Sequence, residues 1–302
     1  MVLSIDQLTK KYGSITALNA VSFDVPPGSV FGILGPNGSG KTTLLGIVMD
    51  VLKATSGRFT WEGNNNSAAH RREIGTLLET PNFYHYLSGE ANLRIAAKIK
   101  QRGENDIEKV LHMVNLYERR KSKFSSYSLG MKQRLAIASA LLGDPAILVF
   151  DEPTNGLDPA GIAEIRDLIR QLNRQGKTII MASHILDEVE RVCSHVAIIQ
   201  RGVLKTLGTV SSVLSGAEGG GNYFEISAPD LDALAQSIRQ MPGILGVVAT
   251  DVALEIQAAD TVDAASVNAW CFQQGITLHL LTPRKKNLEA RFLEITGTKS
   301  DR

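Results

Sequence analysis

The chain has 302 residues and a mass of 32.7 kDa, which at the usual ~100–200 residues per domain makes one large domain or two ordinary ones. With 43% hydrophobic and 21% charged residues, the composition is globular and excludes disordered, collagen-like and disulfide-stapled classes. Thirty-two basic residues against 31 acidic leave a net charge of +1, so no global field draws the chain to nucleic acid or to an anionic membrane.

The segment around Asp6, Lys10 and Lys11 is too charged to open as a secretory leader. Val2–Thr9 and Ala17–Val25 carry the turn-rich alternation of an antiparallel edge sheet. The β-branched runs Ser29–Leu34, Ala146–Phe150, Thr178–Ala182 and Val196–Ile199 alternate with helical stretches and read as buried, mostly parallel strands. Residues 1–215 are therefore expected to form a mixed α/β domain. The glycine-rich stretch at 216–222 is the composition break and reads as a linker.

Beyond it, Tyr223–Ala228 predicts a strand and Leu231–Met241 a helix. Val247–Gln257 predicts a strand pair turning near Asp251, followed by a helix over Val262–Gln274, a strand over Ile276–Leu281 and a closing helix over Lys286–Ile295. That βαββαβ order suggests a small α+β, ferredoxin-like domain over 223–302. Ala264–Pro283 is free of Asp, Glu, Lys and Arg, but Ser266, Asn268, Gln273, Gln274 and His279 argue against a membrane helix. No transmembrane segment is expected. Cys193 and Cys271 both lie in apolar stretches and read as packing residues.

Gly35-Pro36-Asn37-Gly38-Ser39-Gly40-Lys41-Thr42-Thr43 follows the apolar run Val30–Leu34 and leads into the helical run Thr42–Leu52, the context a Walker A phosphate-binding loop requires. Its glycines let backbone N–H groups turn inward around an anion, the helix aims its positive end at phosphates, and Lys41 adds a point charge. Thr42 offers a hydroxyl to Mg²⁺. Ile147–Phe150 then ends in two adjacent carboxylates. In a P-loop enzyme Asp151 is placed on the Mg²⁺ side and Glu152 where the attacking water is polarised.

Tyr127-Ser-Leu-Gly-Met-Lys-Gln-Arg134, ahead of the helical run Leu135–Leu142, resembles the Leu-Ser-Gly-Gly-Gln signature of ATP-binding cassette (ABC) proteins. Ser128 and Gly130 match the residues that face a γ-phosphate in that family, and Gln133-Arg134 continue the pattern. Tyr127, Leu129 and Met131 depart from the commoner Leu, Gly and Gln, a variant that looks like exporter cassettes of the drug, bacteriocin and lipid type.

The resemblance covers about residues 2–215 and implies further roles. Tyr12 resembles the aromatic residue that stacks on adenine. Asp158, in Asn155-Gly-Leu-Asp158, resembles the D-loop that crosses a dimer interface. His184, after Thr178–Met181, resembles the switch histidine that contacts the γ-phosphate. No glutamine occurs between Glu73 and Glu90, where cassettes place one at the start of a lid, and Glu79 is read as occupying its position, able to ligate Mg²⁺ through water; a plain strand-end charge is the alternative. Phe83, Tyr84, Tyr86 and Leu87 read as a docking patch for a permease, with internal packing as the alternative.

The resemblance implies an α/β P-loop ABC ATPase with ATP and Mg²⁺ as ligands: the nucleotide-binding subunit of an exporter, cytoplasmic and peripheral on the membrane's inner face. Its expected partners are a second copy, in an ATP-sandwich homodimer, and a polytopic membrane permease. The rival readings are a soluble cassette ATPase acting on ribosomes or DNA repair structures, and a ligand-regulated switch; Asp151, Glu152 and His184 argue for turnover. Nucleic acid is not an expected partner.

Overall fold

The computed structural model describes residues 1–63, 68–78, 82–215, 221–284 and 288–296. Its elements in chain order are β1 (Leu3–Tyr12), β2 (Ile15–Val25), β3 (Val30–Leu34), α1 (Lys41–Val48), β4 (Ser56–Trp61), α2 (Ala68–Glu73), β5 (Ile74–Leu77), α3 (Gly89–Lys100), α4 (Ile107–Met113), α5 (Leu129–Leu141), β6 (Ile147–Asp151), α6 (Pro159–Arg174), β7 (Thr178–Ser183), α7 (Leu186–Val192), β8 (His195–Gln200), β9 (Val203–Thr209) and α8 (Val210–Ser215). There follow β10 (Asn222–Ser227), α9 (Leu231–Arg239), β11 (Ile244–Ala249), β12 (Leu254–Ala258), α10 (Ala264–Gln273), β13 (Leu280–Arg284) and α11 (Leu288–Thr296). The chain divides into two compact units, Met1–Val210 with Ile295–Thr298, and Ser211–Glu294 with Lys299–Arg302.

In the first unit a six-stranded sheet runs in the order β5-β6-β7-β3-β8-β9. Every residue of β3, β6 and β7 is buried, the pattern of strands covered on both faces, and the pairings among β5, β6, β7, β3 and β8 are parallel. Only β9 joins antiparallel, at the edge beside β8. A second, three-stranded antiparallel sheet, β2-β1-β4, confirms the edge sheet expected from the alternation. Phe31, Ile33, Leu44, Leu45, Trp61, Val149 and Ile180 lie in one core beneath these sheets, and the Trp61 indole reaches the Val48 carbonyl at 2.9 Å. Helix α6 turns Ile165, Leu168, Ile169 and Leu172 inward at 3- and 4-residue spacing.

The parallel register sets up the site. Leu34 pairs with Ser183 and Asp151 with Ala182, so β3, β6 and β7 end level with one another. The residues just past those ends, 35–41, 152 and 184, emerge side by side at the carboxyl edge of the sheet, where open parallel sheets place their ligands.

The second unit has a four-stranded antiparallel sheet in the order β11-β12-β10-β13 and its own core, including Phe224, Ile226, Leu234, Ile238, Leu254, Ile256, Val267 and Cys271. The last strand lies at Leu280–Arg284, later than the expected Ile276–Leu281, because Leu280–Arg284 pairs with β10 while Ile276 and Leu278 pack on the core as the approach to it. Pro283 is tolerated there because β13 is an edge strand. Most of the glycine-rich stretch expected as linker, 216–220, lies outside the described residues, and Asn222 already belongs to β10.

Candidate active site

The loop after β3 is shaped by glycines that nothing else could replace. A Cβ on Gly35 would lie 2.2 Å from the Ile199 carbonyl oxygen and 2.4 Å from Ser39 Oγ. Gly40 has φ +108°, and its Cβ would meet the Ala17 carbonyl oxygen at 2.6 Å. Gly38, at φ +75°, opens onto empty space, and Pro36 and Asn37 beside it are exposed. Ser39 is buried, and its Oγ has no hydrogen-bond partner. A buried hydroxyl left unbonded is costly, and a phosphate oxygen in this cradle would supply the missing partner. The residues present therefore fit a nucleotide's phosphates.

Lys41, only 5% exposed, begins α1. Its Nζ donates to the carbonyls of Gly35 at 2.8 Å and Pro36 at 3.3 Å, and lies 3.4 Å from Glu152 Oε1. The other oxygen of Glu152, Oε2, is 2.9 Å from Nδ1 of the exposed His184. One carboxylate thus bridges the phosphate-loop lysine and the histidine past β7, joining three residues from three strand ends. Glu152 holds a left-handed backbone, φ 48°, which a non-glycine residue adopts only when its surroundings enforce it. Its N–H donates to the Ala182 carbonyl at 3.0 Å, and its carbonyl accepts from Asn155 N at 3.1 Å. Asp151, one residue earlier, is buried at the end of β6.

Thr42 is exposed on the first turn of α1 and Thr43 is half-buried. Tyr12 stands at the end of β1 with its ring 46% exposed and Lys10 Nζ 4.9 Å from the ring centroid. An open ring with a cation behind it is free to present its other face to a flat base. Ser128 is exposed and caps α5, its Oγ accepting from Met131 N at 3.3 Å. A Cβ on Gly130 would lie 3.7 Å from Leu157, so the signature helix and the Asn155–Asp158 loop of one chain adjoin. Among the described residues no hydrogen bond or ion pair joins Ser128 to Lys41. Asp158 caps α6 by accepting from Gly161 N at 3.0 Å, a structural task beside the expected one. Glu79 lies outside the described residues.

Phe83 is partly internal: it is half-buried and packs edge-on against Phe124 at 5.2 Å, whereas Tyr84 and Tyr86 are 51% and 70% exposed and contact each other. Tyr127, where the family has leucine, is buried with its hydroxyl donating to the Arg119 carbonyl at 2.9 Å. Burial also pushes its phenol above the usual tyrosine range.

Sequence reasoning did not single out Thr154 or Glu188. Both are buried, and the Thr154 hydroxyl donates to Glu188 Oε2, two residues past Glu152 and four past His184. Burial raises the Glu188 carboxyl above the usual range, and the Glu152 charge adds to the rise, while the Thr154 hydrogen bond opposes it. The signal available was the i, i+4 spacing of His184 and Glu188 around the start of a helix, hidden among Asp187 and Glu190.

A phosphate loop past β3, a histidine past the neighbouring β7 and a carboxylate pair at the end of β6 beyond it define a P-loop nucleotide-hydrolysing domain. The family model described as ABC transporter matches residues 18–155. The chain is 36% identical to the uncharacterized ABC transporter ATP-binding protein YhcH of Bacillus subtilis (strain 168), over 98% of this chain and 96% of that protein. It is 32% identical to the bacitracin transport ATP-binding protein BcrA of Enterococcus faecalis, again over 98% and 96%. Among solved structures, a dimeric ATP-binding cassette in a post-hydrolysis state bound to ADP and Pi matches with a TM-score of 0.63 at 27% identity, covering 69% of this chain and 98% of that one. The chain belongs to the family of ABC transporter ATP-binding proteins. The expected cassette fold, the ATP-hydrolysing subunit of a transporter and the kinship with the drug and bacteriocin exporter branch are borne out.

Proposed function

We propose that two copies of this chain close on ATP and Mg²⁺ and drive a separate membrane permease that exports its cargo, and that Glu152 is the group that activates water. The observation that carries this reading is the position of Glu152, held between Lys41 and His184 on an enforced left-handed backbone. The loop amides and Lys41 bind the phosphates, and the incoming negative charge takes Lys41 away from Glu152. The freed carboxylate then accepts a proton from water, with His184 orienting it from the other side. Thr42 and Asp151 would hold Mg²⁺, which neutralises charge on the phosphates.

Ser128 and Gly130 are exposed or half-exposed at the head of α5, which suits a role in completing the site of the second copy, and the dimeric form of the ADP-bound relative supports it. Asp158 would line the same interface. No described helix is long and apolar enough to cross a membrane. A separate permease chain, with this one peripheral on the cytoplasmic face, is proposed from the family of transport ATP-binding proteins to which the chain belongs. The transport that BcrA's name assigns to bacitracin supports a cargo of the peptide-antibiotic class. Tyr84 and Tyr86 are the exposed part of the proposed permease patch. Glu79 is proposed as the lid residue: Glu79→Gln should keep part of the turnover and Glu79→Ala lose much of it, and a wild-type rate for Glu79→Ala would contradict that assignment.

The second unit, residues 223–302 by the sequence boundary, is proposed as a ferredoxin-like accessory domain outside the chemistry. Its βαββαβ order and the strand order β11-β12-β10-β13 support this. Light scattering on Glu152→Gln tests the two-copy reading: a dimer with ATP and Mg²⁺ that separates with ADP is expected, and a monomer under both conditions would contradict it.

A further inference from the structure

We infer that Glu188 is a positioning residue for hydrolysis, using Thr154 to lock the turn that carries Glu152 to the helix that follows His184. The inference rests on the ATPase assignment above and adds to it a residue outside the recognised cassette motifs.

The geometry leaves Glu188 in an unusual place. Its side chain is buried, one oxygen accepts from Thr154, and the other, Oε1, is buried with no hydrogen-bond partner. A carboxylate is an expensive group to bury with one oxygen unsatisfied, and packing on the buried face of α7, where Val189 lies beside it, does not require one. Glu188 therefore contributes little as a packing residue. Its bond to Thr154 has a specific consequence. Glu152 sits in a backbone conformation that its own side chain disfavours, and relaxation toward ordinary φ would swing its carboxylate away from Lys41 and His184.

On the N-terminal side the Glu152 amide is held by the Ala182 carbonyl of β7. On the C-terminal side the turn is closed by Asn155 N to Glu152 O and Leu157 N to Thr154 O. The Thr154 hydroxyl is the side-chain tie from that turn to α7. Glu188 lies four residues beyond His184, so the same bond fixes the element that follows the histidine. Base and histidine are thereby held in mutual register by a contact that touches neither substrate nor metal.

The test is steady-state turnover and ATP affinity of the full chain carrying Glu188→Ala, Glu188→Gln, Thr154→Val, Thr154→Ser and the double change Glu188→Ala with Thr154→Val. Glu188→Ala and Thr154→Val should each lower kcat about 10–100-fold, the usual cost of losing an outer-shell partner, with ATP affinity changed less than about threefold. Glu188→Gln keeps an acceptor and Thr154→Ser keeps the hydroxyl, so both should retain kcat within about threefold. The double change should cost no more than either single one, since both remove the same bond. Thr154→Val preserves shape and keeps the test open if Glu188→Ala fails to fold. A wild-type kcat in folded Thr154→Val overturns the inference, as does a Glu188→Gln loss equal to that of Glu188→Ala, which would assign the effect to charge. A wild-type chain without turnover would instead overturn the ATPase assignment itself.

Discussion

The two units of this chain treat buried polarity in opposite ways. Every polar or charged side chain classed as buried among the described residues lies in the first unit: Lys41, Asp151, Thr154 and Glu188 around the site, with Ser39 in the loop, and structural groups such as Lys177 and Asn92 elsewhere. The second unit's buried core is apolar, from Phe224 to Cys271. A core held by packing alone needs no buried charge, because the hydrophobic effect is non-directional and tolerates any close-packed apolar set. Burying Lys41 beside Glu152 costs each ion hydration that its protein partners replace incompletely, a cost that an arriving phosphate would offset. The contrast agrees with the proposed placement of the chemistry in the first unit.

Three substitutions probe that contrast. The largest effect is expected for Lys41→Ala, which removes the cation from the phosphate cradle: nucleotide affinity should fall by about 2–5 kcal/mol, roughly 30- to several-thousand-fold, with the fold intact. Unchanged affinity in a calorimetric titration would show that the loop amides suffice. Leu234→Ala empties a fully buried position in the second unit and should destabilise that unit by about 2–5 kcal/mol in denaturant unfolding, while ATP affinity stays at the wild-type level. A parallel loss of affinity would place the second unit within the chemistry. Asp158→Ala has the smallest expected effect: it removes the cap from α6 and should cost about 1 kcal/mol of stability, read from the denaturant midpoint. No loss of stability would mean that Asp158's contribution lies entirely at an interface with a second copy.

The same contrast explains what was legible in the sequence. The buried parallel strands, the phosphate loop and the Asp151-Glu152 pair announce themselves because they combine an apolar run with residue types that have one physical use. The second unit's element order could be read from periodicity, although β13 slipped four residues, since Ile276 and Leu278 are as apolar as the strand that follows and only pairing with β10 decides between them. The aromatic run at 83–87 divides by burial: Phe83 turns onto Phe124, some forty residues away in sequence, while Tyr84 and Tyr86 face out, a choice set by a tertiary contact and not by local pattern. Glu188 stayed hidden because an acidic residue in a short helix reads as solvated unless its burial is known. The tie between Lys41 and Glu152 spans 111 positions and depends on strand register, which a linear reading does not contain.

Glu152 is the residue on which the proposed hydrolysis turns, and one preparation tests it. In the Glu152→Gln chain, size is kept and the charge is removed. ATP hydrolysis and ATP affinity should be measured on the same sample against wild type. Turnover should fall by roughly 10²–10⁴-fold, the usual share of a general base, with ATP affinity unchanged or higher because Lys41 no longer faces a competing carboxylate. Hydrolysis at the wild-type rate would contradict the account and remove Glu152 from the chemistry.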